Sequence, residues 1–263
     1  MTTTGATTAG VTDPGLAAGQ VLAVRELDAW IGVQQILHRV SFTVPDIGVT
    51  ALLGRNGVGK TTTLRALLGL VRRTGVVELA GRTEATRRID GDTTHRIVRR
   101  GIGYVPENRE VFGGLTVAEN LQLARRGRAS RPVEREPVLA ELFPDLLDRL
   151  GQAAGTLSGG QQQMVALARV LINENRMLLV DEPTKGLAPK VVDQVAEALA
   201  VAARRVPILL VEQDLAVVGR LADRVVVLAE GRVAHTGPAA EFLGDPAAVR
   251  RLLGVSGKGG DSA

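Results

Sequence analysis

Eight consecutive residues, Gly54-Arg55-Asn56-Gly57-Val58-Gly59-Lys60-Thr61, combine three glycines with a lysine and a hydroxyl, and Thr62 follows. That spacing matches the phosphate-binding loop pattern. A triphosphate needs several hydrogen-bond donors converging on its anionic oxygens. Backbone N–H groups supply them only where the chain can approach closely, which glycine permits. Lys60 can reach β- and γ-phosphates, and the Thr61 hydroxyl is placed to ligate Mg²⁺. A plain glycine turn beside an exposed lysine is the other reading of the same letters.

Two further groups carry chemistry. Met177-Leu-Leu-Val180 is an apolar run that ends on Asp181 and Glu182. Asp181 is suited to hold Mg²⁺ through water, and Glu182 to polarise an attacking water as general base. Paired acids at a strand end are common on protein surfaces, and only the company of a phosphate loop gives these a function. The third group is Leu157-Ser158-Gly159-Gly160-Gln161. Ser158 can cap a helix running to Leu171. Two glycines just inside a helix weaken it, a cost that open N–H groups facing an anion would explain.

The elements that must position these residues read as an α/β fold. Residues 21–27, 40–44 and 49–53 read as short strands ended by Gly, Pro or Asp. Residues 59–70 read as a helix opening from the glycine turn, its positive dipole end directed at the loop. Residues 177–180, 208–211 and 225–228 are unbroken apolar runs, as in parallel strands buried on both faces, and helical patterns at 190–203 and 215–222 separate them. Over about 88–175 apolar residues recur at helical spacing, at 117–125 and 134–142, so this stretch reads as a helical insert. Residues 1–20, rich in Thr, Gly and Ala, read as a disordered tail without the charged and apolar regions of a signal peptide. Residues 255–263 read as a flexible tail.

In order and content, Gly54–Thr61, Leu157–Gln161 and Asp181-Glu182 resemble the nucleotide-binding subunit of an ABC transporter. The resemblance spans roughly 21–255, and the Leu-Ser-Gly-Gly-Gln sequence is highly specific to that family. It implies a phosphate-loop (P-loop) NTPase core, RecA-like and mostly parallel, with an N-terminal antiparallel β subdomain and the helical subdomain inserted at about 88–175. It also implies ATP and Mg²⁺ as ligands and hydrolysis as the activity. The family pairs two subunits, so Ser158, Gly159, Gly160 and Gln161 would close over ATP held by the partner's phosphate loop.

The chain departs from the common family pattern at several places. Glu107, followed by Asn108-Arg-Glu-Val-Phe112, stands where the coupling loop usually has Gln; its carboxylate could ligate Mg²⁺. Glu212-Gln213 stands where a histidine is usual, and Gln213 can hydrogen-bond phosphate or water but cannot take up a proton at neutral pH. Gln213 is thus either a positioning residue or an ordinary polar strand end. Pro189 replaces a frequent Asp in Gly186-Leu-Ala-Pro189. Ile31 fills the slot usual for a base-stacking aromatic, and Trp30, one position earlier, either covers adenine or belongs to the core. Together these departures resemble the ATP-binding subunits of branched-chain amino acid importers, with urea and short-amide importers as near relatives. That branch implies an unlike second ATPase subunit, though two identical copies are also compatible. It further implies two transmembrane permease subunits, an extracytoplasmic binding protein and a place on the cytoplasmic face of the membrane. A soluble, non-transport ABC ATPase remains the alternative from another class.

Bulk properties narrow the field. Net charge is +4, but the arginines are scattered and aromatic residues make up only 2%, so no basic, stacking stripe for nucleic acid is expected. The absence of cysteine excludes disulfides and thiolate metal sites. No apolar run approaches the ~18 residues of a membrane-spanning helix.

Overall fold

The computed structural model describes residues 16–80, 86–127 and 132–254. Two long strands, β1 (Gln20–Ile31) and β2 (Gln34–Pro45), come first; β3 (Val49–Leu53) then runs through the glycine-rich loop into α1 (Lys60–Leu67). Next come β4 (Arg72–Leu79), β5 (Arg87–Arg88), α2 (Thr94–Arg99) and β6 (Ile102–Val105). A helical stretch follows, with α3 (Val117–Ala124), α4 (Pro137–Leu142), α5 (Pro144–Leu147) and α6 (Gly159–Leu171). The chain returns through β7 (Met177–Asp181), α7 (Pro189–Ala203), β8 (Ile208–Val211), α8 (Leu215–Leu221), β9 (Arg224–Ala229) and β10 (Arg232–Pro238). Two short helices, α9 (Ala239–Leu243) and α10 (Pro246–Leu253), close the described part.

One sheet has the order β10-β9-β3-β8-β7-β6 and is parallel except at its β10 edge. The other, β2-β1-β4-β5, is antiparallel. The expected α/β core and N-terminal antiparallel sheet are therefore both present. The unbroken apolar runs serve two cores at once, because side chains alternate across a strand. Leu178 and Val180 of β7, with Ile208 and Leu210 of β8, share a core with Val165 of α6 and Leu199 of α7. Leu179, Leu209 and Val211 face the other way, into a core with Leu64 and Leu67 of α1 and Leu22 and Leu37 of the antiparallel sheet. Each Leu, Ile or Val removed from water here contributes about 1.5–3 kcal/mol. That double burial fixes the ends of β3, β7 and β8, and the candidate chemistry sits on those ends.

The structure differs from the sequence reading at edges and boundaries. β6 lies within the 88–175 stretch yet pairs in parallel with β7, so apart from α2 the helices of that stretch follow Val105. β4 was hidden because it buries only Val77 and Leu79 fully and shows no apolar run. α1 stops at Leu67, before Gly69, rather than reaching Leu70. The helix at 134–142 splits into a single turn at Val133–Arg135 and α4, which starts at Pro137. Most of the tail read at 1–20, and all of that at 255–263, lies outside the described residues; Gln20 already pairs with Pro45.

Candidate active site

The glycine-rich loop joins a central strand to the first turn of α1. Its glycines are required by geometry. A Cβ on Gly54, at φ 149°, would sit 2.5 Å from the Leu228 carbonyl oxygen, and one on Gly59, at φ 108°, would sit 2.5 Å from Leu37 Cδ2. Gly59 caps α1 without a side chain, so no side chain competes for the first-turn N–H groups. Lys60 folds back over the loop, its Nζ donating to Gly54 O at 2.8 Å and Arg55 O at 3.1 Å. Burial pulls its ammonium below the usual lysine range, with Glu182 and Asp181 opposing that shift. The result is a desolvated cation inside a ring of backbone dipoles, which suits a phosphate oxygen. Arg55 and Asn56 line a cavity of about 390 Å³ together with Glu212, Gln213, Leu215 and Leu253.

Asp181 lies at the end of β7, fully buried. Thr61 Oγ1 donates to its Oδ1 at 3.1 Å, and Oδ2 has no hydrogen-bond partner. Burial pushes this carboxyl up to about 6, partly offset by the Thr61 hydrogen bond. Beside it on β6, burial and then the Asp181 charge push the Tyr104 phenol up to about 12. A hydroxyl next to an unsatisfied buried carboxylate oxygen is a donor set for a hard cation. Among the described residues no three His, Asp or Glu side chains cluster closely enough to hold a metal. Thr61 and Asp181 are the pair that would hold Mg²⁺.

Glu182 is almost completely buried and has φ 44°, an uncommon backbone state for a residue with a side chain. Its N–H donates to Val211 O at 2.9 Å, which ties it to β8. Gln213 Nε2 donates to Glu182 Oε1, so the structure brings the two predicted catalytic residues into contact. Lys185 Nζ lies 3.1 Å from Glu182 Oε2 and donates to Glu107 Oε1 at 2.6 Å. Pairing with Glu107, and then with Glu182, pushes the Lys185 ammonium above the usual lysine range. Glu107 is thus placed on Lys185 rather than on the Thr61–Asp181 pair. Sequence reasoning missed Lys185 and Glu212. The buried Glu212 carboxylate accepts from Thr184 Oγ1 at 2.6 Å and from the N–H groups of Gln213 and Asp214 at 2.7 and 3.1 Å. Its position directly after an apolar strand and before the polar Gln213 and Asp214, a common place for turn-capping acids, was the available signal.

Ser158 and Gln161 form a reciprocal capping box at the start of α6. A Cβ on Gly160 would meet Val191 Cγ1 of α7 at 2.7 Å, and one on Gly159 would meet the Arg109 guanidinium at the same distance. Close packing is therefore a second reason for the two glycines. Ser158, Gly160 and Gln161 line a separate cavity of about 530 Å³ with Met164, Lys190 and Val191. Among the described residues, this cavity and the one at the glycine-rich loop have no lining residue in common. Trp30 sits between Gln35 and Arg72 in the antiparallel sheet, with the Arg72 guanidinium 4.4 Å above its ring centroid. Ile31 beside it is half exposed.

Comparison with known proteins places this geometry. A family model described as "ABC transporter" matches residues 37–185. The high-affinity branched-chain amino acid transport ATP-binding protein BraG of Pseudomonas aeruginosa is 37% identical over 89% of this chain and all of its own length. The probable branched-chain amino acid transport ATP-binding protein LivF of Archaeoglobus fulgidus is 33% identical over 89% of this chain and 99% of its own. A solved ATP-binding subunit of an ABC transporter superposes with a TM-score of 0.71 at 30% identity, covering 88% of this chain and 92% of that one.

Proposed function

The chain belongs to the ABC transporter family as an ATP-hydrolysing subunit that energises an importer, and from that premise we propose that the imported substrates are branched-chain amino acids. One observation carries the substrate assignment: end-to-end similarity, at 37% identity, to a subunit named for branched-chain amino acid transport. The Glu212-Gln213 pair and the Gly186-Leu-Ala-Pro189 loop support the same branch.

In this reading Lys60 and the loop amides of residues 54–62 hold the β- and γ-phosphates, while Thr61 and Asp181 hold Mg²⁺. When bound, Mg²⁺ neutralises charge on the phosphate oxygens. Glu182 accepts the proton of the attacking water as its oxygen bonds to the γ-phosphorus and the bond to the β-phosphate oxygen breaks. Gln213 donates to Glu182 and fixes its orientation, so it is a positioning residue. Trp30 is assigned to the adenine, a role that requires Arg72 to share or release its ring. Ser158, Gly159, Gly160 and Gln161 serve the ATP of a second, unlike ATPase subunit. We assign Glu107 to Lys185 rather than to the Mg²⁺ shell.

The subunit works with transmembrane permease components. We place it on the cytoplasmic face of the membrane beneath two of them, supplied by an extracytoplasmic binding protein. Among the described residues no helix is long and apolar enough to cross a membrane. The loop from Glu107 to Phe112 is assigned to the permease contact. It borders a cavity of about 440 Å³ lined by Tyr104, Arg109, Leu123 and Arg169, and both Phe112 and Leu123 expose about half or more of their surface. Reconstitution with permeases and binding protein in vesicles tests the reading through ATP-dependent uptake of leucine, isoleucine and valine, with urea as control. Uptake of urea in place of these amino acids would overturn the substrate assignment.

A further inference from the structure

We propose that Lys185 is a positioning residue that holds the base Glu182 out of action and ties its release to the loop carrying Glu107. The proposal rests on the reading of Glu182 as general base. Its foundation is a three-membered ion-pair chain, Glu107–Lys185–Glu182, with contacts of 2.6 and 3.1 Å, the first between residues 78 apart in sequence.

Both oxygens of Glu182 are engaged. Gln213 holds Oε1, and the Lys185 ammonium sits on Oε2. The carboxylate is nearly buried and its backbone is pinned at positive φ by the bond to Val211 O, so it has little freedom to turn away. A cation seated there occupies the place a water must take for proton transfer to Oε2. Lys185 itself has room to move: its side chain is 57% exposed, and the two carboxylates hold its ammonium. Its position between two anions makes it a two-way switch. Whatever draws Glu107 closer to Lys185 pulls the ammonium off the base, and whatever takes Glu107 away leaves the ammonium on it. Glu107 opens the loop that continues through Arg109 and Glu110 to Phe112, and that loop is anchored at its far end by Asn120. Movement of this loop therefore reaches the base through a single side chain.

The test uses the assembled transporter and measures ATP turnover without transported substrate. Lys185→Gln is expected to raise kcat about twofold to fivefold, the scale of one half-exposed ion pair, with the KM for ATP unchanged. Lys185→Arg keeps the positive charge and is expected to restore the low basal rate. Glu107→Gln is expected to lower kcat in the native background and to have no effect when Lys185→Gln is already present. That lack of additivity separates action through Lys185 from any direct effect of Glu107 on the nucleotide. An unchanged or reduced kcat in Lys185→Gln, an arginine variant that behaves like glutamine, or additive effects in the double variant would each overturn the proposal. Glu182→Gln distinguishes it from the reading beneath it. If Glu182→Gln retains turnover, the base assignment falls and the proposal with it. If Glu182→Gln is inactive while Lys185→Gln leaves kcat unmoved, only the Lys185 proposal falls.

Discussion

A carboxylate that has left water and kept one hydrogen bond costs the folded state free energy, and Asp181 is such a group. Its folded titration point is raised, from 3.8 to about 6, so protonation favours folding. The sign follows directly: the stability this group contributes is complete at low pH and is lost as pH rises through about 6. Asp181→Asn is therefore expected to stabilise the apo protein at pH 7.5, by about 2–3 kcal/mol on the scale of such a shift, while abolishing Mg²⁺-dependent turnover. Thermal melting at pH 5 and 7.5 checks both parts, since the native protein should lose stability between those values more steeply than the variant. Mg²⁺ with nucleotide should restore stability to the native protein alone, and chelation should remove the gain. The neighbouring pair makes a second prediction. Glu182→Gln should abolish hydrolysis but keep ATP binding, whereas Gln213→Ala should lower kcat roughly tenfold to a hundredfold, within the usual range for losing general-base assistance. If Gln213→Ala turns over ATP at the native rate, its positioning role is wrong. The phosphate loop, Asp181 and Glu182 were legible as letters because their spacing is local. Lys185 and Glu212 were not, because their partners lie 78 and 28 residues away and only the folded sheet brings them together.

At the scale of elements, α3 shows how one polar residue can decide where a loop goes. Its helix was legible from apolar periodicity at 117–125, and the Thr116–Glu119 capping box starts it. Asn120 in its middle is polar, yet it is fully buried. Its Oδ1 accepts from Phe112 N at 2.9 Å, and its Nδ2 donates to the carbonyls of Phe112 and Thr116 at 3.0 Å. Those bonds fasten the end of the loop that begins at Glu107. Asn120→Ala removes the side chain and leaves buried loop groups unpaired, so a loss of about 2–4 kcal/mol is expected from one or two orphaned groups plus a small cavity. Chemical denaturation measures that loss. Hydrogen exchange should show faster opening at residues 107–115 while β7 and β8 stay protected; uniform loosening of the whole chain would mean that Asn120 serves the core and not the loop. The strands β4 and β10 escaped sequence reading for the complementary reason. Half of each strand faces water, so neither carries the apolar run that marked β3, β7 and β8.

At the scale of the whole molecule, the glycine-rich loop and the Ser158 group line different cavities. The loop at 54–61 opens into a cavity bounded by Glu212, Gln213 and Leu253, while Ser158, Gly160 and Gln161 face a different one beside α7. Both are rigidly mounted, one between a central strand and α1, the other on a capped helix fixed to α7 through Gly160 and Val191. In the proposed reading, a site that uses both groups takes one from each of two chains. This constraint turns the pairing question into a measurement. With ATP, Mg²⁺ and Glu182→Gln to prevent turnover, a self-pairing chain would double its mass in sedimentation. The reading of an unlike partner expects this chain to remain monomeric until a second ATPase subunit is added, and then to form a 1:1 pair. Ser158→Arg should leave ATP binding to this chain intact, because its own phosphate loop is untouched, yet block pair formation by filling the space over the partner's nucleotide. If Ser158→Arg instead weakens nucleotide binding in the isolated chain, the two groups communicate within one chain and the shared-site geometry is wrong.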